Sequence, residues 1–147
     1  MRLLIPESGE HTISVNQTDS RCFIRDSGYK YSFCRAIVAK IDFYSEKVED
    51  LWVKYISAES GEKRDLDIHF ENLEEGEYFI FVEFDWKASS PDTNFCLSCY
   101  GASRSCFVRD ENSLFEKADI LKRLFASKSD QRLPPVKAYN FLDYGDA

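Results

Sequence analysis

The chain has 147 residues, 44% hydrophobic and 15% aromatic, and a net charge of -7 from 19 basic and 26 acidic side chains. This size and apolar content suit one folding unit with a sizeable core and exclude general disorder, while the negative balance argues against a nucleic-acid backbone as partner. No apolar run approaches the roughly 20 residues needed to span a bilayer, and residues 1–7 lack the apolar length of a secretory signal, so a cytoplasmic protein is expected.

Along the chain, residues 11–17 and 20–25 are predicted strands on either side of Thr18-Asp19. A longer strand is expected over 33–43, with Phe33, Ile37, Ala39, Ile41 and Phe43 on one face. In 51–57, Leu51, Val53 and Tyr55 oppose Trp52 and Ile56, which predicts partial cover on both sides. Residues 64–70 alternate cleanly, with Leu66, Ile68 and Phe70 inward and Asp65, Asp67 and His69 outward. The strongest strand signal follows a turn at Gly76: Tyr78, Ile80, Val82, Phe84 and Trp86 share one wholly apolar face, and Glu77, Phe79, Phe81, Glu83 and Asp85 the other. Residues 94–100 and 104–109 flank Gly101 as the arms of a hairpin would.

From Ser113 the period changes. Leu114, Phe115, Ala118, Leu121, Leu124 and Phe125 recur at three and four, and Ser113 with Glu116 forms a capping box. An amphipathic helix is expected, ending near Ser127 to Ser129 ahead of Pro134 and Pro135, with Leu114, Ala118, Leu121 and Phe125 facing inward. Tyr139, Phe141, Leu142 and Tyr144 make the tail too aromatic to be purely solvated. The predicted architecture is all-β: an eight-stranded antiparallel β-sandwich over residues 1–110, with a helix and tail over 111–147 packed on it.

The five cysteines, Cys22, Cys34, Cys96, Cys99 and Cys106, cannot all pair within one molecule and are expected as free thiols. Cys96 and Cys99 have a chelating spacing only if the backbone between them turns; on a strand their sulfurs point to opposite faces. Catalytic machinery is sparse. His11 and His69 are the only imidazoles, no glycine-rich phosphate loop is present, and Asp65 with Asp67 and Glu83 with Asp85 read as charged strand surface.

Charge placement is the main functional signal. Between Asp42 and Asp85 there are 14 acidic residues against four basic ones, a charge of -10, which leaves +3 for the remainder. Glu46, Glu49 and Asp50 form one cluster, Glu74 and Glu75 lie in a second, and Asp85 and Asp92 form a third. If these seven converge, their hard oxygens suit calcium, the one cofactor considered. If they lie on separate rims, they form a field that docks a protein partner with a basic surface. The second arrangement is preferred, because no single loop is dense enough to supply six or more fixed oxygens.

Four segments, taken in order, carry a family resemblance: Ser14-Val15-Asn16-Gln17-Thr18-Asp19-Ser20-Arg21-Cys22-Phe23; Tyr29-Lys30-Tyr31-Ser32; Leu73-Glu74-Glu75-Gly76-Glu77-Tyr78 through Asp85-Trp86; and Ser98-Cys99-Tyr100-Gly101. Over roughly residues 11–109 they resemble domain III of calpain-type cysteine peptidases, the β-sandwich after the protease core, in its protist form. The resemblance implies a non-catalytic role: holding the protease core, responding to calcium, or touching acidic lipid headgroups and protein partners. The papain-like cysteine, histidine and asparagine set is missing, and the basic residues Lys30, Arg35, Lys40, Arg104 and Arg109 are scattered, which favours partner docking over membrane contact. Two other readings stay open: a free-standing adaptor, and a small-ligand or carbohydrate-binding sandwich with Trp52, Phe79 and Phe81 as platform. On fluorogenic peptides, over a range of calcium concentrations, the chain is expected to show no cleavage. Turnover abolished by a single cysteine substitution would overturn the non-catalytic reading.

Overall fold

A computed structural model describes residues 1–25, 27–43, 51–88, 93–108 and 120–125. Their fold is all-β, in two antiparallel sheets. Strands β1 (Arg2–Ile5), β2 (Gly9–Gln17), β3 (Phe33–Phe43), β4 (Leu51–Gly61), β5 (Asp65–Leu73), β6 (Gly76–Asp85), β7 (Phe95–Gly101) and β8 (Cys106–Val108) follow in chain order. One sheet has five strands in the order β4-β3-β6-β1-β8, and the other has three in the order β5-β2-β7.

Period two explains how the sheets share a core. Tyr78, Ile80, Val82 and Phe84 of β6 point to one side, with Leu3 and Ile5 of β1 and Cys34, Ala36 and Val38 of β3. There they meet Ile13 and Val15 of β2 and Leu66, Ile68 and Leu73 of β5. Each fully buried aliphatic side chain contributes about 1.5–3 kcal/mol relative to exposure, so this cluster dominates stability. The opposite face of β3 and β6 is also apolar. Ile37, Ala39 and Ile41 lie there with Val53, Tyr55, Phe79 and Phe81, and Ile120 and Leu124 pack on them.

β4 faces both clusters, and a β-bulge shifts the phase of its alternation. Val38 pairs with Ser57 and Ala39 with Tyr55, so Ile56 is an extra residue on the β4 side. Alternation turns Val53 and Tyr55 to the outer cluster and Ile56 to the shared core, and after the extra residue Ser57 pairs with Val38 on the core side. The two-sided cover expected for this segment is thus present, although the strand runs on to Gly61.

Four expectations are corrected. Residues 94–100 and 104–109 are not the arms of a hairpin: β7 pairs with β2 in the three-stranded sheet and β8 with β1 in the five-stranded one. Residues 20–25 are not a strand: Ser20–Cys22 is a 3-10 turn, because the Asp19 carboxylate accepts the Arg21 backbone N–H at 2.9 Å and caps it. Residues 2–5, not foreseen as a strand, pair with β6 on one side and β8 on the other. Residues 120–125 are helical, but they bury Ile120 and Leu124, with Leu121 at the margin, and Phe125 stays 42% exposed. Leu114, Ala118, the helix start and the aromatic tail lie outside the described residues, as do the side chains of Phe43, Leu51 and Trp52.

The turn from β5 to β6 carries the chain from one sheet to the other, and it is tied by one phenol. Tyr78 is buried, and its hydroxyl donates to the Glu74 carbonyl at 2.7 Å, four residues upstream. Gly76 between them has φ 143°, where an L side chain is strained, and a Cβ there would lie 3.2 Å from Lys40 Cε. Leu124→Ala is expected to cost about 2 kcal/mol or more in urea denaturation, and Phe125→Ala, at a 42% exposed position, clearly less. Equal losses would contradict the packing of this helix.

Candidate interaction site

One end of the fold is assembled around a single side-chain amide. Gln17, at the end of β2, is buried. Its Nε2 donates to the Ser32 carbonyl at 2.7 Å and to the Lys63 carbonyl at 3.3 Å, while its Oε1 accepts the Ser32 N–H at 2.9 Å. A planar group with both donor and acceptor can answer a backbone in both directions, so one residue joins the ends of the 18–32 excursion to the β4–β5 turn. Within the excursion Tyr29 stacks on Phe23 at 4.2 Å and donates its hydroxyl to the Thr18 carbonyl at 2.7 Å. Tyr31 accepts the Ser20 N–H at 3.2 Å.

Charge is organised next to this latch. Arg21 donates from Nε to Asp19 Oδ1 at 3.1 Å and from Nη2 to Oδ2 at 2.9 Å. Arg64 donates from Nη1 to the same Oδ2 at 2.7 Å. Its Nε and Nη2 reach Asp65 Oδ2 at 2.8 and 2.7 Å, and Asp65 Oδ1 accepts Asn16 Nδ2 at 2.8 Å. The result is a chain of alternating charge, Arg21–Asp19–Arg64–Asp65. Hydrogen bonds from Arg21, and then from Arg64, hold the Asp19 carboxyl well below its ordinary value of 3.8. Arg64, then Asn16, lower Asp65 likewise, and Arg64 is itself raised by Asp65 and Asp19. An open cleft of about 480 Å³ lies between residues 19–21, Tyr31 and 63–65.

The outward face of the three-stranded sheet is a polar ladder. In register, Thr12 lies opposite His69, Ser14 opposite Asp67 and Asn16 opposite Asp65, and each pair is hydrogen-bonded. Asp65, Asp67 and His69 point outward as expected, but as cross-strand ties. His69 Nε2 is 3.6 Å from Glu10 Oε1. His11 faces the other way, fully buried, with Nδ1 2.9 Å from the Gly9 carbonyl and Nε2 2.9 Å from Ser103 Oγ. Beside it Gly101 passes so close to β2 that a Cβ would overlap the Glu10 carbonyl oxygen and lie 2.7 Å from His11 Cα.

Of the seven acidic residues singled out from the sequence, Glu46, Glu49, Asp50 and Asp92 lie outside the described residues. The other three are not brought together. Glu74 and Glu75 sit just before β6 and Asp85 ends it, about 30 Å away at roughly 3.3 Å per residue over the strand. Glu74 pairs with Lys40 at 2.7 Å, which lowers its pKa, and the Glu75 N–H donates to Ser8 Oγ at 2.8 Å. Among the described residues no three His, Cys, Asp or Glu side chains are placed to share a metal ion. Cys96 and Cys99 do fall on opposite faces of β7: Cys96 is exposed and Cys99 packs against the shared core. Burial pushes the Cys34 thiol up to about 11 and the Cys99 thiol up as well. No described helix is long and apolar enough to cross a membrane.

Comparison with known proteins finds no match to any family model, curated protein or solved structure. The geometry must therefore carry the functional reading. Sequence reasoning missed the pairing of Arg21 with Arg64 across Asp19. The available signal was the Gln17-x-Asp19-x-Arg21 element, but its partner lies 45 positions from Asp19, in the turn before β5.

Because the folded pKa of Asp19 lies below its unfolded value, the stability it contributes is complete above about pH 5 and lost as pH falls through 3.8 toward the folded value. Asp19→Asn should therefore flatten the acid side of the stability profile in that window and leave the slope near neutrality unchanged. Urea melts at a series of pH values would show it, and an unchanged acid slope would contradict the coupling.

Proposed function

We propose that this chain is a non-catalytic regulatory and interaction module, a β-sandwich similar to calpain domain III, that docks a basic protein surface, either an attached protease core or a separate partner. The observation that carries the reading is a line of exposed carboxylates, Asp67 and Glu71 on β5 and Glu74 and Glu75 in the turn after it. β5 is an edge of the three-stranded sheet, so this line runs along a border where a partner can approach. Only Glu74 among the four has an ion pair among the described residues, with Lys40, so the local charge remains strongly negative.

Further support comes from the segments that carry the resemblance. Gln17, Asp19 and Arg21 form the latch, and Tyr78 ties the crossing between sheets by a hydroxyl-to-backbone bond of the kind found at the corners of immunoglobulin-type sandwiches. These are scaffold roles, in keeping with a module whose function lies on its surface. The platform reading loses support because Phe79 and Phe81 pack with Ile120 and Leu124. Calcium binding is the less favoured response, since Glu74 and Glu75 are far from Asp85.

A fluorescein-labelled peptide of Lys-Lys-Leu triplets, followed by anisotropy, tests the acidic border. Binding should be salt-sensitive and several-fold weaker for the chain carrying Glu71→Gln and Glu75→Gln, since exposed charge pairs are worth roughly 0.2–1 kcal/mol each. Identical binding by this variant would remove the basis of the reading. In parallel, calcium should shift the melting temperature no more than magnesium at fixed ionic strength. A calcium-specific rise abolished by neutralising Glu74 and Glu75 would replace docking by ion binding.

A further inference from the structure

The cleft at the Gln17 latch has the opposite polarity to the acidic border. Arg21, Lys63 and Arg64 line it against Asp19 and Asp65, three cations to two carboxylates. One oxygen, Asp19 Oδ2, accepts from both guanidiniums, so the two are held side by side before any ligand arrives. Arg64 is committed through all three nitrogens, but Arg21 is not exhausted. Arg21 uses Nε and Nη2, and its Nη1 has no acceptor among the described residues; its side chain is 85% exposed. The Lys63 ammonium likewise has no carboxylate partner among the described residues.

Apolar surface lies on the same loop. Ile24 is 85% exposed, at a turn closed by the Ser27 N–H donating to its carbonyl at 2.9 Å. A large aliphatic side chain this far into water, three positions along the chain from Arg21, points to a partner with both apolar and acidic groups.

We propose that this cleft docks an acidic peptide segment of a partner protein, with one Glu or Asp carboxylate received by Arg21 and Lys63 and a neighbouring apolar side chain set against Ile24. The charge count selects the ligand. An excess of one positive charge matches a monoanionic carboxylate, whereas a dianionic phosphate would also face Asp19 and Asp65 at close range. An anionic bilayer is disfavoured for a different reason, because the whole molecule, at -7, must then approach an extended negative surface. A short peptide meets only the local field, since charges beyond about 8–10 Å are screened at physiological salt.

The test uses the full chain, isotopically labelled, titrated with a peptide of Glu-Glu-Leu triplets and with a Gln-Gln-Leu control. The acidic peptide should shift the amides of residues 19–21 and 63–65 and the Arg21 Nε–H, and the control should not. The Arg21→Gln, Lys63→Gln double variant should bind about tenfold more weakly or worse while staying folded, because the Gln17 latch and the Asp19–Arg64–Asp65 ties remain in place. Ile24→Ser, at a solvent-exposed position, should weaken binding without touching any charge and serves as the second variant should the first lose stability. Undiminished binding by these variants, or shifts confined to other residues, would overturn the proposal. So would co-sedimentation with phosphatidylserine-containing vesicles in the absence of peptide binding, which would assign the cleft to a membrane.

Discussion

Both faces of the β3–β6 pair are apolar, and each needs a cover. On one side Ala36, Val38, Tyr78 and Ile80 are covered by Ile13, Val15, Leu66 and Ile68 of the three-stranded sheet. On the other, Ala39, Ile41 and Phe79 meet Ile120 and Leu124. A strand pair buried twice is the constraint from which the layering follows. The three-stranded sheet shares the larger cluster, and the helical residues complete the smaller one. Short helices are marginal in water by themselves, so the helix depends on the sheet as much as the sheet face depends on it.

Much of this was legible in the sequence where alternation was long. The β6 pattern from Tyr78 to Phe84 and the β5 pattern of Leu66, Ile68 and Phe70 gave strand, face and inward direction together. Their period is two over enough residues to exclude a helix. β1 was not legible because four residues hold only two inward positions, Leu3 and Ile5, too few to establish a period. Its place depends on partners some 75 and more than 100 positions along the chain, information that no local window carries. Residues 20–25 misled for the opposite reason. Cys22, Phe23 and Ile24 have strand-like character, but the Asp19 side chain offers the backbone a nearer hydrogen bond than a neighbouring strand does.

The electrostatic layout was half legible. An excess of carboxylates between Asp42 and Asp85 is plain from counting, and Asp67, Glu71 and Glu75 do sit exposed on one border. Which charges neutralise each other is a property of the fold. Arg64 is one of the four cations in that acidic stretch, yet it bridges Asp19 and Asp65 and lies with Arg21 and Lys63 along one cleft. The molecule is therefore polarised within the three-stranded sheet and its adjoining turns. A negative border runs along β5, and a small positive notch sits at the end where β5 begins.

The extra residue in β4 has a consequence for how this chain tolerates insertions and deletions. Ile56 interrupts the alternation, so the residues before it point to the outer cluster in one phase and those after it resume in the other. Removing one residue anywhere from Val53 to Ile56 would leave a regular ladder on paper, with hydrogen bonds intact. It would also withdraw a side chain from one of the two clusters or swap the clusters that the remaining side chains serve. The bulge thus sets the phase between two halves of a strand. In this segment a length change is harsher than a substitution, even though the edge position of β4 would ordinarily make it one of the more permissive places in the sheet.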